Sequence, residues 1–517
     1  MTDVRIITGA LGGSALSRLL QGGDAPSGWL AAPVRSVADW RSRAQRRSRE
    51  RHWDECWAAL EPALETSGAA AERLERVRRE GGVVVTTGQQ PGLFGGPIYT
   101  WSKAMGALAF ADALERHTGI PTAAVFWAAT DDADFAEASF TVIARPGEAE
   151  LLQSDHAPTP GVPMTLAPLG DMGPLIARLR NGSGSVADPR ALRAVEETYC
   201  DPSTSVGNAY VALLRRMLEP LGMAVLDASH PAVRAASDRT LRDALRHADA
   251  ITQALEARTA DIKTAGFAPQ VEQVKTLSLV FDRRDSIKSR IPVSLSAQFA
   301  DDREAWLTPN VLLRPIVEQA ILPTVAYLGG PGELAYFAQV SAVADAMGIE
   351  PPVALPRWSC TLIEPHVQAL LERFHVTPDE LAQPDRLEGM VAREAMSTAS
   401  SVAIEDLRAS VRALPAALAP EAGPLGLGAA VEGSMQSLLH RVDRLERRLV
   451  AGIKRREHER LREVATLRAA LYPLNTRQER ALNLIPTLSR HGAELLGEMR
   501  DAASAHADAL IGASQPA

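Results

Sequence analysis

The sequence predicts an α/β fold: a parallel sheet core broken by insertions and followed by an α-helical coiled-coil arm. Three observations carry that prediction. First, the β-branched run Val83-Val84-Val85-Thr86-Thr87 leads through a glycine-rich loop into a helical repeat, and then into a second apolar run from Thr122 to Ala129. That succession is the pattern of a βαβ unit. Second, two more strand-like runs, Met223 to Asp227 and Leu322 to Leu328, each precede a turn and a helical stretch. Third, beyond Glu364 the composition shifts to Ala, Leu, Glu and Arg, and Leu438, Val442, Leu445, Leu449 and Ile453 fall at spacings of three and four.

Length and composition bound the rest. A chain of 517 residues holds about three domains' worth of material. Its 46% hydrophobic and 23% charged residues place it with folded globular chains rather than disordered ones. Lys and Arg total 55 against 63 Asp and Glu, a net charge of −8, so no global positive field recruits nucleic acid. No apolar run approaches the roughly 18 to 20 residues that span a bilayer, and the N-terminus lacks a basic segment followed by a hydrophobic one. The expectation is a soluble, cytoplasmic protein with neither nucleic acid nor membrane as partner. Cys56, Cys200 and Cys360 are odd in number, far apart and in no CxxC pair, which argues against a disulfide framework or a zinc ribbon. Each is expected as a buried small hydrophobe.

Taken in order, residues 1–80 read as a helical lead-in, with Trp53, Trp57, Leu60 and Leu64 at helical spacing and Gly81-Gly82 as a stop. Residues 81–365 form the sheet core. Its first strand runs into a loop from Gly88 to Pro97; Pro97 stands where a helix begins, Ile98, Trp101, Met105 and Leu108 repeat at helical spacing, and His117 to Gly119 ends the helix. The four strands lie too far apart for a compact doubly wound domain, so insertions are expected at about 135–220 and 232–310. The second contains alternating runs around Thr276 to Phe281 and Ile287 to Val293, which read as a hairpin. Residues 366–470 read as a helical coiled-coil domain in which a Pro/Gly-rich interruption from Pro415 to Gly433 separates two helical stretches. Leu461, Val464, Leu467 and Leu471 resume the repeat after a charged gap, giving one long amphipathic helix, half of an antiparallel arm. Residues 471–517 form a helical segment that returns to the core. Arg444, Arg447, Arg448, Lys454, Arg455, Arg456 and Arg460 are interleaved with Asp443, Glu446, Glu457 and Glu459, with no aromatics to stack on bases. A solvated coiled-coil face explains that stretch.

Chemistry concentrates at strand ends. The loop Thr87-Gly88-Gln89-Gln90-Pro91-Gly92-Leu93-Phe94-Gly95-Gly96-Pro97 brings glycine backbone close to a ligand, and the N-terminus of the Ile98 helix offers free N–H groups to an anion. It is neither a Walker A motif nor a GxGxxG fingerprint. A plain tight turn needs one or two glycines, so Gly88, Gln89, Gln90, Gly92, Gly95 and Gly96 are candidate binding residues. Asp131, Asp132 and Asp134 follow the second strand, where they would share a crevice with that loop. Such carboxylates can hold Mg²⁺ with a phosphate, accept an ammonium group or act as a general base, while helix capping accounts for at least one of them. Arg314, set among apolar residues, pairs with a carboxylate of the protein or of a ligand. Gly330 and Glu333, in the turn Gly329-Gly330-Pro331-Gly332-Glu333, join the binding set. His230 of Asp227-Ala228-Ser229-His230-Pro231 could titrate near neutral pH, although a capped turn is the simpler reading.

The stretches TGQQPGLFGGPIYTWSKA at Thr87 to Ala104, VFWAATDDADF at Val125 to Phe135, LLRPIVEQAILPTVAYLGGPGELAYFAQV at Leu312 to Val340 and LYPLNTRQERALN at Leu471 to Asn483 strongly resemble the cysteine-adding enzymes of bacillithiol biosynthesis. The match keeps the same order from the first strand to near the C-terminus. The resemblance implies a Rossmann-like core with connecting-peptide insertions and a coiled coil that promotes a homodimer. It also implies a ligase reaction in which cysteine is joined to the amine of glucosaminyl malate to give the low-molecular-weight thiol bacillithiol. Amide formation requires an activated carboxyl group, which places ATP and Mg²⁺ among the candidate cofactors, although no ATP signature is readable. The core resembles that of class I aminoacyl-tRNA synthetases, without a HIGH-type or KMSKS-type motif. On this reading the glycine loop and the Ile98 helix hold an anionic part, Asp131, Asp132 and Asp134 orient or deprotonate the amine, and Arg314 anchors a carboxylate. One departure stands out: the family typically has a histidine between the last two acidic residues, where this chain has Ala133. Two other readings stay open, a metal- and nucleotide-sugar-binding glycosyltransferase using Asp132-Ala133-Asp134, and a non-catalytic nucleotide- or thiol-sensing coiled-coil scaffold.

Overall fold

Val83–Gln89 becomes the centre of a five-stranded, wholly parallel sheet in the order Ala354–Pro356, Thr324–Gly329, Val83–Gln89, Thr122–Ala128, Met223–Asp227. The computed structural model describes residues 2–49, 53–156, 158–284, 286–383 and 386–512. The side chains of Trp53, Lys454, Arg455 and Arg456, which the sequence reading used, lie outside the described residues. The register runs from Val83 opposite Thr122 to Gln89 opposite Ala128, and both strands are buried along nearly their whole length. Parallel strands are covered on both faces, which is why these read as continuous apolar runs instead of alternating ones.

Helix Ile98–Thr118 packs on the sheet and is itself covered by Leu495–Ile511. Leu60, Leu64, Leu74 and Val77, from helices Trp53–Leu64 and Gly68–Glu80, pack with Ala123, Val125, Ala224 and Leu226. The N-terminal helices therefore form a layer of the core. The segment also holds a strand that periodicity did not reveal, Arg5–Thr8, antiparallel to Cys360–Ile363. The fourth expected strand starts two residues late, at Thr324, because helix Arg314–Ile321 runs up to Leu322 and Pro323 has no N–H to give the ladder. Cys360 is buried as expected, but Cys200 is exposed: it follows helix Arg190–Tyr199 and its thiol donates to the Glu197 carbonyl at 3.5 Å.

The second insertion carries an antiparallel three-stranded sheet in the order Ile287–Pro292, Leu277–Arg284, Leu307–Pro309. The hairpin is the one the alternation indicates, with Leu307–Pro309 added beside it.

The chain divides into two compact units, one of Met1–Ile143, Leu151–Glu364 and Glu479–Ala517, the other of Ala144–Glu150 and Pro365–Gln478. In the second, Thr398–Ala422 and Gly428–Arg456 fold back on each other, and Arg408 ties them through Asp443 at 3.1 Å and Glu446 at 2.6 Å. The interruption is shorter than the sequence reading set it. Pro415 and Pro420 lie inside the first helix, and only residues 423–427 turn, with Gly426 at φ 66°. The long repeat is also two helices, breaking at Glu457 before His458–Leu471. Of the seam residues, Val442 is buried, whereas Leu438, Leu445 and Leu449 remain exposed.

Candidate functional site

Parallel sheets leave a crevice beyond the carboxyl ends of their strands. Here that crevice is a cavity of about 830 Å³, reached by all the strand-end candidates Gly88, Gln89, Gln90, Asp131, Asp132, Asp134, Arg314, Gly330 and Glu333. The glycine loop splits in two. Gly88 abuts the neighbouring strand so closely that a Cβ would lie 2.6 Å from the Trp127 carbonyl oxygen. Gly92, Gly95 and Gly96 do not reach the cavity. They make a tight turn whose backbone leaves no room: a Cβ on Gly95, at φ 87°, would lie 2.5 Å from the Trp101 ring, and one on Gly92 would lie 2.7 Å from Gly96 Cα. Asn483 fixes this turn by donating to the Leu93, Phe94 and Gly96 carbonyls at 3.1–3.3 Å. The first N–H of the Ile98 helix donates to the Leu482 carbonyl at 2.8 Å, so the chain itself takes one of the N–H groups at the helix end expected to bind an anion.

The most constrained group in the cavity is one the sequence reading passed over. Lys103, the charged residue within the otherwise uncharged first part of the helix from Ile98 to Ala111, is buried and donates to the Gly88 carbonyl and the Gln89 side-chain oxygen, both at 2.9 Å, while pairing with Glu333. Burial lowers its pKa, and Glu333 opposes that shift. Burial pushes Glu333 the other way, but Lys103, the Tyr327 hydroxyl and the Gly330 N–H outweigh it and hold its carboxyl below the usual range. A single lysine interrupting a buried apolar face was the available signal.

Arg314 resolves to a protein partner. It pairs with Glu318 at 2.7 Å, donates to the Tyr336 hydroxyl at 3.2 Å and lies 4.8 Å from the Tyr327 ring centre. Arg357, another buried cation lining the cavity, pairs twice with Glu479, at 2.8 and 2.9 Å. Its Nε and the Trp127 Nε1 are buried without a hydrogen-bond partner among the described residues. Unpaired buried donors are rare and costly, and these two belong to side chains that line one cavity.

The acidic turn divides its labour. Asp134 caps helix Phe135–Ala138 by accepting from the Ala136 N–H at 3.1 Å, and Asp132 accepts from the Asp134 N–H at 3.0 Å. Asp131 receives Lys288 at its carbonyl, 2.7 Å, and its carboxylate, 3.3 Å. Burial, reinforced by the Asp131 charge and opposed by the Asp134 N–H, pushes the Asp132 carboxyl above the usual aspartate range. Ala133 lines the cavity as well. Among the described residues no group of three or more His, Cys, Asp or Glu side chains is placed to hold a metal ion. His230 is the capped turn, its Nδ1 accepting from the Ala232 N–H at 3.1 Å. The Cys360 thiol is pushed far up by burial.

Comparison with known proteins agrees with this architecture. Residues 32–358 match the family described as bacillithiol biosynthesis BshC, N-terminal Rossmann-like domain, and residues 360–509 match its C-terminal coiled-coil domain. A protein of Solibacter usitatus named "Putative cysteine ligase BshC" is 32% identical over 473 residues, covering 86% of this chain and 87% of its own. Proteins of the same name from Koribacter versatilis, 31% identical over 477 residues, and Heliobacterium modesticaldum, 29% identical over 475, cover 87% and 84% of this chain and 88% and 84% of their own. With both of its domains matched end to end, the chain belongs to the bacillithiol biosynthesis BshC family.

Proposed function

We propose that this chain is a ligase that forms the amide between the carboxyl group of cysteine and the amine of glucosaminyl malate. One observation carries the reading to the residue level: a carboxyl group with a raised pKa, Asp132, lines a sheet-end cavity of about 830 Å³ together with Asp131, Lys288 and Gly88 to Gln90. An ammonium group cannot attack a carbonyl, so the amine must give up a proton, and a carboxyl group nearer neutral pKa takes it better than an ordinary aspartate. Asp132 is that base, Asp131 holds Lys288 beside it, and Asp134 sets the turn. Ala133, where the family typically has a histidine, offers no titratable group, so Asp132 takes the proton here. Gly88, Gln89, Gln90, Gly330 and Glu333 bind substrate, with Lys103 positioning Gln89 and Glu333. The acidic pair Asp132 and Asp134, wound into a turn by its own hydrogen bonds, fits this role better than a metal-binding DxD pair.

The test is mass spectrometry of the purified protein incubated with cysteine, glucosaminyl malate, ATP and Mg²⁺, beside the same mixture without ATP. Bacillithiol is the expected product, and its loss on omission identifies ATP as the activating nucleotide. A folded protein that gives no bacillithiol in either mixture refutes the reading.

The exposed Leu438, Leu445 and Leu449, each 37–47% accessible along one helix, support a second copy of the chain as their cover. Sedimentation of wild type is expected to give a dimer, and of Leu445→Glu/Leu449→Glu a monomer; a wild-type monomer at micromolar concentration rules the homodimer out.

A further inference from the structure

In the insertion sheet, alternation sorts side chains onto two faces. Val280, Ile291 and Leu307 face the core and are buried. Phe281 and Arg283 therefore face the other way, and the register sets Arg290 and Thr308 opposite Phe281 and Lys288 opposite Arg283. That second face, extended by Trp306, lines the cavity. On it the Arg283 guanidinium lies 3.9 Å from the centre of the Trp306 ring, and Arg234, from helix Pro231–Arg246, lies 4.5 Å from the same ring.

Two cations thus share one indole. The ring attracts each of them, but they repel one another, and burial followed by the Arg234 charge pushes the Arg283 pKa down. Their surroundings do not neutralise them. Arg234 donates to the Ala305 carbonyl at 3.3 Å, and among the described residues no carboxylate pairs with Arg234 or Arg283. Four of the other cavity cations are matched, Lys288 with Asp131, Arg314 with Glu318, Arg357 with Glu479 and Lys103 with Glu333, and a fifth, Arg290, is held by the Leu277 and Ser278 carbonyls. The Thr308 hydroxyl on the same face is also buried without a partner. A half-buried cation pair without counter-charge is costly, and a bound anion offsets that cost through charge-assisted hydrogen bonds to guanidinium forks already held against a ring.

We propose that Arg234 and Arg283, braced on Trp306, form an anion subsite of the cavity that receives the dianionic end of a substrate. The inference rests on the ligase reading only for the two sources of such an end, the dicarboxylate of the amine substrate and the phosphates of an activating nucleotide. It replaces the glycine-loop helix as the expected place for that charge.

The test measures binding without turnover, by titration calorimetry of L-malate and of inorganic pyrophosphate against wild type, Arg283→Gln, Arg234→Gln and the exposed Arg246→Gln. Wild type is expected to bind one of the two anions, and both cavity variants to bind it about tenfold or more weakly, while Arg246→Gln matches wild type. Loss of malate binding assigns the subsite to the amine substrate, and loss of pyrophosphate binding assigns it to the nucleotide. If wild type binds neither anion, or the cavity variants bind as wild type does, the proposal is overturned. Melting temperatures check that the variants fold. Should Arg283→Gln not fold, Arg283→Lys, which keeps the charge but loses the planar fork, is expected to bind measurably more weakly than wild type. A protein that binds the anion through these arginines yet makes no bacillithiol refutes the ligase reading alone. One that makes bacillithiol with anion affinities unchanged in the variants refutes the subsite alone.

Discussion

The cavity is lined by two sets of arginines that the fold treats differently. On the sheet side, Arg357 is buried and Arg314 largely so, and each is neutralised by a glutamate, Glu479 and Glu318. On the insertion side, Arg290 donates to the Ser278 carbonyl, while Arg234 and Arg283 are half-buried, rest on an indole and have no carboxylate partner among the described residues. A cation taken out of water must be paired, so the sheet-side arginines hold the scaffold together, whereas those kept partly in water can stay charged and open to a ligand. The comparison assigns rigidity to the sheet and recognition to the insertion, and it can be broken from either side.

The largest effect is expected where the two walls meet the chemistry. Asp132→Asn retains the oxygen that accepts the Asp134 N–H, so the turn survives while the base is lost. Product formation should fall by about 10²–10⁴-fold with an unchanged circular dichroism spectrum. In wild type, kcat/KM should rise with pH through an apparent pKa above the ordinary aspartate value, a limb missing from the variant. Stability carries the opposite sign. A carboxyl group whose folded pKa is raised contributes stability below its unfolded pKa and loses it as pH rises through the folded one, so Asp132→Asn should be relatively more stable at neutral than at acidic pH. Full activity in the variant would place the base elsewhere.

On the scaffold side, Glu479→Gln leaves the Arg357 charge buried beside Ser102 and the Trp358 carbonyl with no counter-charge. The expected loss is about 3–5 kcal/mol, read from chemical denaturation, with anion affinity unaltered in the folded fraction. A variant as stable as wild type would mean that the sheet-side pair is not structural, and the contrast between the walls would collapse.

How much of this was written visibly in the sequence follows the same division. The runs Val83 to Thr87 and Met223 to Asp227 were legible because a strand buried on both faces has no alternation to hide behind. The hairpin was legible too, but alternation alone cannot say which of its faces meets a cavity, so Arg283, Lys288 and Trp306 went unremarked. The glycine loop was read as one unit, yet only Gly88, Gln89 and Gln90 reach the cavity. Gly92, Gly95 and Gly96 answer to steric contacts with Trp101 and with one another, which only the folded chain creates. Gly95→Ala should accordingly cost about 1–3 kcal/mol, from the clash and from a φ of 87°, without a direct effect on ligand affinity. A loss of affinity at unchanged stability would return that half of the loop to the binding site.

The smallest stability effect is expected at the residue that distinguishes the two walls. Trp306→Leu removes the ring beneath Arg234 and Arg283 but breaks no salt bridge, because neither guanidinium has a carboxylate to lose among the described residues. Partly exposed cation–π contacts are worth about 0.5–1 kcal/mol each, and relief of the repulsion between two cations freed to move apart offsets part of that. Denaturant midpoints should therefore shift little, whereas anion affinity should fall, since the ring no longer holds the two guanidiniums in place before the ligand arrives. The pair of measurements separates bracing from structure: a large loss of stability at unchanged affinity would make Trp306 a core residue like Trp101, and the insertion wall a second scaffold instead of the recognition surface.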